Sequence, residues 1–186
     1  HCTDATAAIG RKFSNVTVWE RNIGARTGKG AVLRWGIELI RKETGNKFDS
    51  YIVFDADNVA TPNFVEEINK CFCTGAKLVM GNRKALNPYA SIISSWYTIY
   101  WQTVDCLYCR PRSNLGLAAI ISGTGFAFKD ELLGSEGWNT TSITEDIEFS
   151  MGQNLKGVFA VYWESAVFYD EQPTNLATML SQVRRW

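Results

Sequence analysis

The apolar run Tyr51–Phe54 and the two aspartates that follow it constrain the fold of this chain more than any other feature. The run has the length of a strand that is buried on both faces, as the strands of a parallel sheet are. It stops at Asp55-Ala56-Asp57, and Thr61-Pro62 then begins a helix, because a capping hydroxyl and a proline in the first turn are typical of helix starts. A buried strand followed directly by a helix predicts an α/β layer.

The same alternation of strands and helices continues along the chain. Strands are predicted at 16–19, 77–80, 118–122, 125–128, 158–162 and 166–169. Helices are predicted from residue 3, after the glycine loop 24–30, from 61 to 72, from 92 to 107, from 144 to about 156 and from about 174 to the last residue. At 186 residues the chain fits one domain with a sizeable core. We therefore predict a single α/β domain over residues 1–186 with a largely parallel sheet.

Charge and histidine content argue against several classes of function. Lysine plus arginine (19) balances aspartate plus glutamate (19), whereas a nucleic-acid-binding protein normally carries a large positive excess. The chain has one histidine, His1, which argues against a Ser-His-Asp triad, a histidine-rich zinc site and an HExxH protease. Chemistry in this chain therefore depends on carboxylates, cations, hydroxyls or thiols, and no nucleic-acid partner is expected.

The five cysteines are interpreted as reduced thiols. Cys71 and Cys73 form one close pair and Cys106 and Cys109 another, but both pairs lie in apolar or aromatic helical sequence without flanking turn residues. Structural zinc is the alternative. Reduced thiols favour an environment that faces the cytosol.

Aromatic and aliphatic residues recur at helical spacing between residues 92 and 107, and they include Trp96, Tyr97 and Tyr100. This spacing favours a helix that is packed on the core. The alternative is a helix that lies at a membrane interface or borders a sugar site, because rings with a polar edge suit both positions.

Asp55 and Asp57 form the first candidate site. Carboxylates at the carboxyl end of a strand stand where an open α/β sheet binds its ligands. Because unpaired buried charge is costly, the two residues are poorly suited to a core. A divalent cation with oxygen ligands would compensate their charge and could bridge to a diphosphate. An ordinary turn at the end of a strand explains the same spacing.

Two further motifs have both a structural and a functional interpretation. Thr144-Glu145-Asp146 is typical of a helix N-terminus, but Asp146 could also take a proton from an attacking hydroxyl. Gln182, Arg185 and Trp186 share one helix face. That face combines an amide with a guanidinium suited to phosphate and an indole that can stack on a sugar ring. By itself it is equally typical of an interface or core contact.

These three motifs, in this order, resemble the family 2 glycosyltransferases with a GT-A fold, specifically the processive branch that includes cellulose, chitin and hyaluronan synthases. The glycine loop with Lys29, the stretch Thr3–Thr6 and the segment Gly123–Gly125 resemble further parts of the family pattern. The resemblance covers nearly the whole chain. It implies a Rossmann-like, mostly parallel sheet flanked by helices, in a catalytic domain that lacks its first strand and is truncated at both ends.

The resemblance also implies a role for each motif residue. Asp57 would hold Mg²⁺ or Mn²⁺ on the diphosphate of a nucleotide sugar, expected to be a UDP-sugar, and Asp146 would be the catalytic base. The other residues at the nucleotide sugar would be Lys29, Asp55 and Arg185. The residues at the acceptor would be Gly123, Thr124, Glu145, Gln182 and Trp186. One base and one displacement would invert the anomeric centre.

The same resemblance implies a location and an acceptor. The enzyme would act at the cytoplasmic face of a membrane as part of an integral membrane protein, with its membrane segments outside residues 1–186. Its acceptor would be a growing glycan or a lipid-linked sugar. Arg34 departs from the family pattern, because many relatives have asparagine there.

Three other functions stay open. A non-processive family 2 transferase would add one sugar to a lipid or a small acceptor, although the pattern at 182–186 disfavours it. An inactive glycan-binding domain of the same fold is disfavoured by Asp57, Asp146 and Arg185. A phosphatase of the haloacid dehalogenase type also carries Asp-x-Asp after a strand, and Val59 fits its pattern, but it leaves residues 182–186 unexplained.

Overall fold

The computed structural model describes residues 2, 4–21, 28–45 and 48–184. The helices are α1 (Thr6–Gly10), α2 (Lys29–Thr44), α3 (Phe64–Cys73), α4 (Ile92–Thr103), α5 (Arg110–Asn114), α6 (Glu145–Leu155) and α7 (Leu176–Val183). The strands are β1 (Ser50–Val53), β2 (Val59–Ala60), β3 (Leu78–Ala85), β4 (Phe126–Lys129) and β5 (Val161–Asp170). A π-helix, Val104–Cys109, joins α4 to α5, and Asp130–Leu132 form a 3-10 helix.

The five strands form one sheet in the order β1-β4-β3-β5-β2. β3 pairs with β5 in parallel, whereas β4 is antiparallel to both β1 and β3, and β2 is antiparallel to β5. β1, β3 and β5 therefore run in one direction, and β4 and β2 run in the other. The predicted α/β class is confirmed, with a sheet that is more mixed than the alternation of elements indicated. The chain leaves β3 at its carboxyl end, passes through three helical segments and enters β4 at the same edge of the sheet.

Two aromatic clusters fill the core. In the first, Trp138 stacks on Phe149 with 4.3 Å between ring centroids, and Phe128 lies 5.5 Å from Trp138 and 5.3 Å from Phe149. In the second, Phe64 of α3 lies 6.2 Å from Phe168 of β5 in an edge-on arrangement. Full burial of each such side chain contributes about 1.5–3 kcal/mol. These clusters hold the helices on the sheet.

Gly125 fixes the start of β4. Its φ is 67°, and a Cβ at this position would overlap the ring of Phe168. Its amide donates to the carbonyl of Val53 at 2.8 Å, and its carbonyl accepts from the amide of Gly81 at 2.9 Å. A residue with a side chain would separate β4 from its neighbours, so glycine is needed both for the backbone conformation and for the close approach.

Some predicted strands are absent or merged. Residues 16–19 form no strand, because no described segment pairs with them, and β-propensity alone does not make a strand. Residues 118–122 are also outside the sheet, although the amide of Ala119 donates to the carbonyl of Ala160 at 2.8 Å. The predicted strand 166–169 lies within β5, whereas the predicted strand 158–162 overlaps β5 only at residues 161–162.

The predicted helix at 92–107 is confirmed, and it continues through the π-helix into α5. Within the described residues, no helix has the length and apolar character needed to cross a membrane.

Candidate active site

One edge of the sheet carries a cleft of about 920 Å³. Asp55 and Asp57 follow the carboxyl end of β1, and Asp170 is the last residue of β5. Because β4 runs in the opposite direction, its amino end, with Gly123 and Thr124 before it, lies at the same edge. Ligands of open α/β sheets bind at this edge.

The cleft brings together most of the residues that the sequence predicted to form a site. The predicted residues that line it are Lys29, Asp55, Asp57, Gly123, Thr124, Glu145, Asp146 and Gln182. Arg185 and Trp186 lie outside the described residues. Asp57 and Asp146 thus share one cleft although they are distant in sequence.

Lys29 connects the turn after β1 to the segment before β4. It is the first residue of α2, and its Nζ donates to Oδ1 of Asp55 at 2.5 Å and to the carbonyl oxygen of Gly123 at 2.6 Å. The first bond reaches the turn after β1, and the second reaches the segment before β4. One ammonium therefore fixes the distance between the Asp-x-Asp turn and Gly123.

Asn58 and Thr124 shape the turn that carries the two aspartates. The amide of Asp55 donates to Oδ1 of Asn58 at 3.0 Å and to Oγ1 of Thr124 at 2.9 Å. Thr124 Oγ1 in turn donates to Asn58 Oδ1, and Nδ2 of Asn58 donates to Oδ1 of Asp57 at 3.2 Å. Asn58 was missed in the sequence, although an asparagine is a common turn-forming residue after a strand.

Asp146 lines the same cleft from the first turn of α6. A Cβ added to Gly123 would lie 3.6 Å from Oδ2 of Asp146, so the carboxylate faces the Gly123 backbone. The φ of Gly123 is 73°, which favours glycine there. Peptide dipoles at the start of a helix stabilise a carboxylate in this position.

Glu145, which the resemblance assigns to the acceptor side, is buried, with 5% of its surface exposed. Burial raises its pKa, and the nearby charge of Asp146 adds to that shift. A Cβ added to Gly30 would lie 2.6 Å from Oγ1 of Thr140 and 3.1 Å from Cβ of Glu145. Glu145 therefore also holds the start of α6 against the start of α2.

Comparison with known proteins identifies the family. Residues 51–186 match the family described as glycosyl transferase family group 2, which is well over half of the chain. The chain belongs to this family. The suspected family membership is confirmed, and the haloacid dehalogenase alternative is wrong.

Curated relatives of this family 2 chain include the poly-beta-1,6-N-acetyl-D-glucosamine synthases of Staphylococcus aureus strains COL and MW2. Each is 29% identical over 163 residues, which cover 86% of this chain and 38% of the relative. The chain thus spans well under half the length of these relatives. A solved structure, the glucosyl-3-phosphoglycerate synthase of Mycobacterium tuberculosis with Mn²⁺, UDP-glucose and glycerol 3-phosphate, matches 88% of this chain and 53% of its own. Its identity is 17% and its TM-score 0.44.

The family 2 cleft also contains a buried cation that the sequence analysis missed. Arg83 of β3 is 6% exposed, and its guanidinium carbon lies 4.0 Å from the ring centroid of Trp101. Its Nη2 donates to the carbonyl oxygen of Ser122, and its Nε lies 3.6 Å from Oδ2 of Asp170. The available signal was an arginine just after a predicted buried strand.

Two buried carboxylates accompany Arg83. Burial raises the pKa of Asp105, in the π-helix, to about 7, although the charges of Arg83 and Lys84 oppose this shift. Burial also raises the pKa of Asp170, again against the charge of Arg83. A charged group that is buried this deeply is stable only when a group of opposite charge lies beside it.

The aromatic helix α4 forms one side of the cleft. Tyr97, Tyr100 and Trp101 line the cleft, whereas Trp96 is 68% exposed. Ser94 is the buried residue of α4. The favoured interpretation, a helix packed on the core, is correct only in part, because α4 packs against β3 while its rings border the cleft. The 3.6-residue spacing indicated a shared face, and that face borders the cleft.

The cysteines and Arg34 stand apart from the cleft lining. Cys71 and Cys109 are buried, and burial raises the pKa of Cys71 to about 12. Among the described residues, no three histidine, cysteine, aspartate or glutamate side chains form a group that could hold a metal ion. Arg34 donates from Nε to the carbonyl of Trp138 at 2.8 Å and from Nη2 to Oδ1 of Asn139 at 2.7 Å.

Proposed function

We propose that this chain is the catalytic domain of an inverting transferase that moves a sugar from a UDP-sugar to a hydroxyl of a growing glycan. The observation that carries the proposal is that carboxylates from two separate elements line one cleft. Asp55 and Asp57 come from the turn after β1, and Asp146 comes from the first turn of α6 and faces Gly123. Family membership and the polysaccharide synthases among its relatives support the same function.

Asp146 is the general base in this proposal. The acceptor oxygen attacks the anomeric carbon, its proton passes to the Asp146 carboxylate, and the bond from that carbon to the diphosphate oxygen breaks. The electron pair of that bond leaves with UDP. Since one displacement occurs at the anomeric carbon, its configuration inverts. A positioned base of this kind contributes about 10²–10⁴-fold to the rate.

Asp57 is the proposed ligand for Mg²⁺ or Mn²⁺, with Asp55 beside it. Their carboxylate oxygens are the ligands that these hard cations prefer. Such a cation is commonly held by one or two carboxylates together with the phosphates of the substrate. When bound, it supplies positive charge to the leaving diphosphate.

The remaining donor and acceptor contacts are proposed from the family resemblance. Lys29 and Arg185 are proposed to contact the nucleotide sugar, on the family resemblance. The proposed acceptor side contains Gly123, Thr124, Glu145, Gln182 and Trp186. Tyr97 and Trp101 extend that side with rings, which can stack on the apolar face of a sugar. This supports the sugar-site alternative for α4.

Location and processivity belong to the same proposal. We place the whole protein at the cytoplasmic face of a membrane, held by segments outside residues 1–186, because the resemblance is to the processive branch. Transfer of a single sugar to a lipid or small acceptor is the second candidate. Product length separates the two, since a processive enzyme releases long chains while most acceptor is still unused.

Substitution of Asp146 tests the proposed function. The whole protein is assayed for UDP release and product formation with a panel of UDP-sugars, Mn²⁺ and oligosaccharide acceptors. Asp146→Asn should lower transfer by about 10²–10⁴-fold while UDP binding, measured by calorimetry, is retained. Asp49→Asn is the matched control, because Asp49 is exposed and precedes β1 at the end of the strand away from the cleft. Wild-type transfer in Asp146→Asn would refute the base assignment, and an inactive wild type would favour the glycan-binding alternative.

A further inference from the structure

Arg83 is a buried cation that donates to the carbonyl oxygen of Ser122, the first residue of the segment Ser122–Thr124. It lies on β3 beside Phe168 of β5, and 6% of its surface is exposed. Removing a guanidinium from water costs several kcal/mol unless good partners replace the water. An apolar residue would fill this position in a core without that cost. Packing alone therefore does not explain why this buried position holds an arginine.

The contacts of Arg83 fix its guanidinium from three directions. Asp170 at the end of β5 supplies a carboxylate, with 3.6 Å between Arg83 Nε and Asp170 Oδ2. Trp101 of α4 covers one face of the guanidinium at 4.0 Å. Nη2 donates to the carbonyl oxygen of Ser122. Within the described residues, Nε of Arg83 makes no hydrogen bond. The guanidinium is therefore held by the charge of Asp170, by stacking on Trp101 and by its hydrogen bond to Ser122.

The Ser122 carbonyl is the point at which this cluster meets the proposed active site. The carbonyl of the next residue, Gly123, accepts a hydrogen bond from Lys29, and a Cβ added to Gly123 would lie 3.6 Å from Oδ2 of Asp146. Thr124 accepts from the amide of Asp55. Lys29 and Arg83 thus hold this segment at two neighbouring carbonyl groups, those of Gly123 and Ser122. Loss of either anchor changes where an acceptor lies relative to Asp146.

We infer that Arg83 is a positioning residue that fixes the Ser122–Thr124 segment, and with it the acceptor hydroxyl, against Asp146. The inference rests on the proposed function, because it concerns the acceptor in that reaction. Arg83 acts through Ser122 and does not contact the reacting atoms. Its loss should therefore separate two reactions of the donor. Transfer to a sugar hydroxyl needs the segment in place, whereas hydrolysis by water does not.

The test compares transfer with hydrolysis in Arg83→Met. Transfer should fall by about 10²-fold, which is the cost of a misplacement of about 1 Å, while UDP-sugar hydrolysis changes little and the KM for acceptor rises. Arg83→Lys keeps the charge beside Asp170 and one donor for Ser122, so it should recover part of the transfer. Arg112→Met is the matched control, because Arg112 also donates to a carbonyl, that of Ala118, but does not line the cleft.

A second variant and a second measurement keep the test decisive if Arg83→Met does not fold. Asp170→Asn keeps the cation but weakens its anchor, and it should raise the ratio of hydrolysis to transfer in the same direction. Hydrogen exchange at Thr124 and Gly125 measures the segment directly, without any activity. We expect exchange about tenfold faster in the variants.

Equal losses of transfer and hydrolysis, or unchanged exchange at Thr124, would overturn the inference. Absence of transfer in the wild type would instead refute the proposed function, and the exchange measurement would still decide the role of Arg83.

Discussion

The Nζ atom of Lys29 lies 2.5 Å from Oδ1 of Asp55, so the first residue of α2 is tied to the turn that follows β1. The side chain of Lys29 is 30% exposed and that of Asp55 is 48% exposed. Exposed pairs of this kind contribute only about 0–1 kcal/mol to stability. The bond is therefore better understood as positioning the cleft than as stabilising the fold.

Replacing Lys29 by methionine should affect binding more than stability. UDP affinity should fall by about tenfold, since an ammonium near the proposed donor site is lost and the Asp55 charge is no longer compensated. The melting temperature should change little. Lys42→Met is the control, because Lys42 is an exposed lysine of the same helix. Calorimetric titration with UDP checks the prediction, and equal affinities in the two variants would contradict it.

Gly123→Ala should lower both stability and transfer. Its φ of 73° costs about 1–2 kcal/mol for a residue with a side chain, and the new Cβ would lie 3.6 Å from Oδ2 of Asp146. Gly116→Ala is a closely matched control, since its φ is 70° and no atom lies within 4 Å of the position that a Cβ would take there. We expect similar unfolding free energies for the two variants by urea denaturation, and a loss of transfer in Gly123→Ala alone.

Gly125→Ala should destabilise the protein by about 3 kcal/mol or more. The added methyl group overlaps the Phe168 ring, and overpacking in a rigid core adds to the strain of a positive φ. Gly152→Ala, within α6 and with open space around its Cβ, should instead gain about 0.5–1 kcal/mol. Urea denaturation of both variants measures the difference. A Gly125→Ala variant as stable as the wild type would mean that β4 and β5 are farther apart than described.

Asp105 should make stability depend on pH. Its pKa in the folded protein is raised to about 7 by burial, whereas an aspartate in an unfolded chain titrates near 4. Between these values the folded state holds more protons than the unfolded state, so stability falls as pH rises from about 4 to about 7. Asp105→Asn should flatten that slope.

Denaturation at pH 5 and pH 8 checks the Asp105 prediction. The wild type should lose more stability between the two values than Asp105→Asn does. Asp49→Asn should keep the wild-type slope, because Asp49 is exposed. Parallel slopes in all three proteins would show that Asp105 is ionised in the folded state.

Transfer should depend on a divalent cation, through Asp57. Chelation should abolish transfer, and Mn²⁺ or Mg²⁺ should restore it. Asp57→Asn should raise the Mn²⁺ concentration needed for half-maximal activity by about tenfold or more, because a neutral amide is a weaker ligand than a carboxylate. Glu66→Gln is the control, because Glu66 is an exposed carboxylate on α3. Full activity of the wild type in excess chelator would contradict the prediction.

The ends of strands and the starts of helices could be predicted from the sequence, because their signals are local. The apolar run before Asp55 and the acids after Thr144 each identify an element boundary, and the structure has β1 and α6 there. These two boundaries are compatible with Asp57 and Asp146 in one cleft, and the family resemblance supplied the expectation that the two residues share it. Lys29 was found through a family resemblance rather than through its contacts.

The direction of β4 and the role of Arg83 could not be predicted, because both depend on distant residues. An apolar strand looks the same in either direction, and the antiparallel pairing with β1 follows from the path through α4 and α5. Burial of Arg83 depends on Asp170 and Trp101, which come from two other elements. Residues 118–122 have the composition of a strand, but the sheet holds no place for them.

Because β4 runs antiparallel to β1, a backbone hydrogen bond joins the two strands next to the cleft. The amide of Gly125, two residues after Gly123, donates to the carbonyl of Val53, two residues before Asp55. A different loop grafted before Ser122 would therefore leave this hydrogen bond unchanged. If the proposed function is correct, such a graft should change the choice of acceptor without moving Asp55.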